Sequence, residues 1–121
     1  MNILFLLKSL ETGGLEVVTS VLANEFIAQG NTVCVFSFLG GKNSIAKSFN
    51  EQIKLYEGSD YNTSGTNIAA LREVLIDLIA NNDVDMFYVG NHGRFDSIVR
   101  GVLRELKTEY PQIRYAVVLA Y

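Results

Sequence analysis

The chain has 121 residues, 49% of them hydrophobic, which suffices for one domain to bury a core without disulfides or a structural metal. Its 10 basic and 13 acidic residues are spread along the sequence and sum to a formal charge of -3, so there is no basic patch to hold a polyanion and nucleic acid is not an expected partner. Cys34 is the only cysteine, which excludes an internal disulfide and a cysteine cluster for zinc or iron-sulfur and fits a reducing, cytoplasmic setting.

The first apolar run, Ile3 to Leu7, ends at Lys8 and is too short for a signal-peptide core or a membrane span; it reads as a strand covered on both faces. After a loop carrying Gly13 and Gly14, the residues Leu15, Val18, Leu22 and Phe26 recur at helical spacing until Gly30 stops the pattern. Thr32 to Phe38 is rich in β-branched and aromatic residues, and Gly40-Gly41 follows it, which predicts a second strand. The stretch from Gly41 to Asn50 permits a short helix with Ile45, Ala46 and Phe49 inward, and Gln52 to Tyr56 a third strand.

Glu57 to Thr66 is the longest polar, turn-rich segment, so it is expected on the surface. Asn67 can cap a helix with the stripe Ile68, Leu71, Leu75, Leu78 and Ile79, ending at Asn81-Asn82, where a left-handed conformation is tolerated. Met86 to Val89 is the fourth strand. Gly93 to Tyr110 forms the last helix, with Phe95, Val99, Val102, Leu103 and Leu106 inward and Pro111 preventing its continuation. Tyr115 to Ala120 closes the chain as a fifth strand.

Strands alternating with helices imply right-handed crossovers, a parallel sheet and helices on both faces. The expected fold is therefore α/β: a Rossmann-like three-layer α/β/α sandwich over residues 1–121 with a five-stranded parallel sheet. Strand order 3-2-1-4-5 places a switch point between the first and fourth strands; order 2-1-3-4-5 is the alternative.

Ligands of such sheets bind at the carboxyl ends of the strands that flank the switch point, and two loops meet there. Ser9 to Glu16 (SLETGGLE) offers the backbone of Gly13 and Gly14 to an anion at a helix N-terminus, or serves only as a tight turn. Gly90 to Gly93 offers the same geometry, with Asn91 and His92 beside it. Neither loop matches G-x-G-x-x-G or the phosphate loop with Lys and Ser/Thr. His92 is the only histidine, so a metal site is not expected, and no Ser/His/Asp or Cys/His catalytic set can be assembled. Asp96 and Glu16 each stand where a carboxylate favours the positive end of a helix. Glu105 and Lys107 belong to a solvated helix face, and Cys34 to the core.

Residues 1 to about 75, above all ILFLLKSLETGGLEVVTSVLANEFIAQGNTVCVFSF, resemble the N-terminal domain of GT-B glycosyltransferases of the family 4 type: a strand, then Gly-Gly-x-Glu, then a helix ending in glycine before a second strand. In that family the domain binds mainly the acceptor and its glycine loop faces the nucleotide-sugar, which implicates Gly13, Gly14 and Glu16. The family's second domain, which grips the nucleotide-sugar, has no counterpart in this sequence. Residues from about 68 to 121, above all FYVGNHGRFDSIVRGVLRELKTEYPQIRYAVVLAY, resemble the SLOG superfamily, a Rossmann-like group that includes the YpsA type and lonely-guy enzymes. That resemblance rests on Gly-x-x-Gly-x-Phe-Asp, Tyr-Pro-x-Ile and the closing apolar strand. It implies a nucleotide or nucleotide-derived ligand held by Gly90, Asn91, His92, Gly93 and Asp96. The first strand and loop of that family are replaced here by glycosyltransferase-like sequence.

Together the two resemblances imply a chimera, with a junction inside residues 67–80 and engineered recombination as the leading reading. The expected function is then a scaffold without intact enzymatic activity, retaining at most phosphate or nucleotide binding at the strand ends. The alternatives are an acceptor-binding fragment of a glycosyltransferase and a SLOG-like nucleotide-ligand module. No catalytic residue, metal or cofactor is assigned, and the expected partner is a small anionic ligand. No membrane association is expected, and the chain is read as a monomer or a homodimer paired through sheet edges. Side chains from unrelated parents would have to pack between the first and fourth strands, so a loosened structure is expected there.

Overall fold

The computed structural model describes residues 1–7, 14–37, 50–57, 68–90 and 93–118. In chain order the elements are β1 (Asn2–Leu7), α1 (Gly14–Ala28), β2 (Thr32–Ser37), β3 (Lys54–Glu57), α2 (Ile68–Asn82), β4 (Met86–Gly90), α3 (Gly93–Glu109) and β5 (Arg114–Val118). The short helix expected between Gly41 and Asn50, and the last residues of the fifth expected strand, lie outside the described residues.

All five strands pair in parallel in the order β3-β2-β1-β4-β5. The chain has a Rossmann-like α/β fold, and the order 2-1-3-4-5 is excluded. β1 lies at the centre, and its residues Ile3 to Leu7 are all buried because both of its faces are covered. Ile3, Phe5 and Leu7 face α1, sharing a cluster with Val33, Val35 and Ala23. Leu4 and Leu6 face the other way, with Phe36, Phe87, Val89 and the buried sides of α2 and α3. The alternation of Cβ direction along a strand thus sorts one continuous apolar run into two cores.

The helices differ in how they meet the sheet. α2 buries Leu71, Leu75, Leu78 and Ile79 as expected, with Val74 in addition, and α3 buries Val99, Val102, Leu103 and Leu106 as expected; the side chains of Ile68 and Phe95 lie outside the described residues. α1 meets the sheet as expected through Leu22 and Phe26, while the side chain of Leu15 lies outside the described residues. Among its described side chains Thr19 and Ala23 are fully buried, whereas Val18, Leu22 and Phe26 are half-buried. Leu22, Phe26 and Ile27 pack against the cluster of Ile3, Phe5, Leu7, Val33 and Val35 beside the buried Ala23.

Each helix end has a local cause. Gly30 adopts φ 93° and closes α1 through paired hydrogen bonds: its N–H donates to Ile27 O and that of Asn31 to Phe26 O, both at 3.0 Å. At the end of α2 the left-handed residue is Asp83, φ 53°, rather than Asn81 or Asn82. After α3 the N–H of Ile113 donates to Tyr110 O at 3.1 Å, forming a turn that holds Pro111, and Lys107 Nζ donates to Ile113 O at 2.8 Å. Glu105 is exposed but engaged: together with Glu109 it brackets Arg72 of α2, each at 2.8 Å.

At the seam between β1 and β4, where a loosened structure is expected, the strands are paired in register. The strands pair from Ile3 with Met86 to Leu6 with Val89. Phe87 and Val89 are buried on one face. On the other face Phe5 stacks on Tyr88 with centroids 5.1 Å apart, and Tyr88 stacks in turn on Phe26 of α1 at 5.4 Å. Offset aromatic pairs at these separations add about 0.5–1.5 kcal/mol beyond their area, so the three rings tie β1, β4 and α1 together.

Candidate functional site

In this strand order the chain leaves β1 towards β2 on one side and returns to β4 on the other, so the switch point lies between β1 and β4. β1 ends at Leu7 and β4 at Gly90, and the helices that follow them begin at Gly14 and Gly93. Each helix start presents backbone N–H groups that have no partner within the helix and the positive end of a dipole.

Of the candidate ligand residues, Gly14 and Gly93 are the first residues of α1 and α3, Glu16 stands in the first turn of α1, and Gly90 closes β4. Gly13, Asn91 and His92 lie outside the described residues, and nothing is described of the Glu16 side chain. Among the described residues, the candidate pair that the fold brings together is Gly90 and Asp96. Asp96, in the first turn of α3, is 3% exposed, and its carboxyl group reaches back against the Gly90 backbone. A methyl group at Gly90 would stand 2.9 Å from Asp96 Cγ and 3.0 Å from Oδ1, with Oδ2 closer still.

A buried carboxylate in the first turn complements the positive end of α3. The acid at α3 explains the glycine at position 90, since any side chain there would occupy the space of the carboxyl group.

Ser37 is a further polar group at the same sheet edge. It ends β2, is fully buried and pairs in register with Leu7. Sequence reading did not single it out; the one signal is a polar residue closing an otherwise apolar run. At the opposite edge, Asp85 accepts two hydrogen bonds from the Asn2 N–H, at 3.2 and 3.3 Å, and its own N–H donates to Asn2 O at 3.0 Å. That carboxylate thus fixes the start of β1 against β4.

Cys34 sits half-buried in β2 against the core that holds α2 and α3. Burial pushes its thiol above the ordinary value, and the neighbouring Lys54 opposes that rise. Among the described residues no group of His, Cys, Asp and Glu could hold a metal ion, and no helix is long and apolar enough to cross a membrane. No protein-family model and no curated protein matches the chain.

Proposed function

We propose that the chain is a recombined Rossmann-like domain that works as a binding scaffold rather than an enzyme, taking a small phosphate-bearing ligand of the nucleotide type in the crevice between the ends of β1 and β4. The junction between its two parents falls within α2. The observation that supports this reading is the strand order, which sets β1 beside β4, each followed by a helix, the arrangement in which open α/β sheets bind ligands. His92 is the one histidine of the sequence and would have to serve every base role of a Ser/His/Asp or Cys/His set.

The Asp96 carboxylate gives the ligand a direction. With α3 already complemented by its own acid, the phosphate lies at the Gly13-Gly14 loop and the start of α1, and the hydroxyl-bearing part of the ligand lies toward Gly90. Glu16, in the first turn of α1, weakens the attraction for an anion.

A thermal-shift series with inorganic phosphate, adenosine and uridine nucleotides and sugar nucleotides tests this. A ligand that binds only the folded chain stabilises it by about 2.7 kcal/mol at one hundred times its dissociation constant, so a nucleotide must raise the melting temperature. If no compound in the series shifts the transition, the chain has no such site. If the nucleotides shift it and phosphate alone does not, the base and ribose carry the recognition.

A further inference from the structure

We draw no further inference here: the strongest candidate, the apolar ridge of Val17 and Val21 on the outer face of α1, 64% and 63% exposed, carries nothing because nothing in the structure shows what covers it.

Discussion

The Asp96 carboxyl group rests on Gly90, so close that the last residue of β4 has no room for a side chain. Replacing Gly90 by Ala forces either a buried carboxylate or the strand backbone to move. A Gly90→Ala variant is expected to lose about 1–3 kcal/mol in urea unfolding, the usual cost of overpacking. In an Asp96→Ala background the same methyl group costs less, with a coupling of about 0.5–3 kcal/mol between the two positions. Equal costs in both backgrounds would mean that the two groups do not press on each other.

Phe87 and Tyr88 occupy opposite faces of β4 at its pairing with β1. Fully buried Phe87 shares its core with Leu4, Leu6 and α3, so Phe87→Ala is expected to cost about 3–5 kcal/mol. Tyr88→Ala removes the ring stacked between Phe5 and Phe26 and should cost less, because that ring is only half-buried. Chemical denaturation of both variants checks the order. If neither loses more than a surface substitution would, the two halves of the sheet do not share a packed core.

Thr19 is fully buried in α1 and its hydroxyl has no hydrogen-bond partner among the described residues. Burying an unpaired hydroxyl costs roughly 1–3 kcal/mol. Valine has the same shape and the same branching at Cβ, so Thr19→Val keeps the packing and the helix preference while removing the unpaired group. The variant should be more stable than the parent by about 1 kcal/mol, read as a higher melting temperature. A loss of stability would show that the hydroxyl is paired.

The thiol of Cys34 ionises above the 9.0 of an ordinary thiol because burial disfavours its charged form. Its contribution to stability is therefore fully present below that value. As pH rises, the unfolded thiol ionises first, and the contribution is lost on the way up to the higher folded value. The stability difference between the parent chain and Cys34→Ala should be flat in neutral solution and narrow above pH 9.0, measured by urea melts across the alkaline range. A difference that stays constant there would contradict the burial of the thiol.

The order of the strands was legible because it follows from local patterns: apolar runs at Ile3 to Leu7 and Met86 to Val89, amphipathic helices between strands, and the right-handed crossover rule. α2 and α3 carry charge on their outer faces, so their buried lines could be read from spacing. α1 could not be read in the same way. Its outer face carries Val17 and Val21, so its apolar residues fit more than one stripe, and the face that meets the sheet adds Thr19 and Ala23 to Leu22 and Phe26. Which residue turns left-handed after α2 depends on where the last helical carbonyls find partners; the N–H of Val84 donates to Leu78 O at 3.3 Å, and the turn falls at Asp83. The sequence placed Asp96 at a helix start. That its carboxyl group lies against Gly90 is a matter of how closely α3 follows β4, which composition and spacing do not encode.

The reading of this chain as a binding scaffold is tested most directly by an amide NMR titration with a nucleoside diphosphate, in the parent chain and in Asp96→Asn. The account predicts progressive shifts at the amides of Gly14, Gly90 and Gly93 with little change at the opposite sheet edge around Asn2 and Asp85. It also predicts tighter binding when the negative charge at position 96 is removed. Amides that stay unmoved at those glycines through millimolar ligand, or that shift only at the edge holding Asn2 and Asp85, would contradict it.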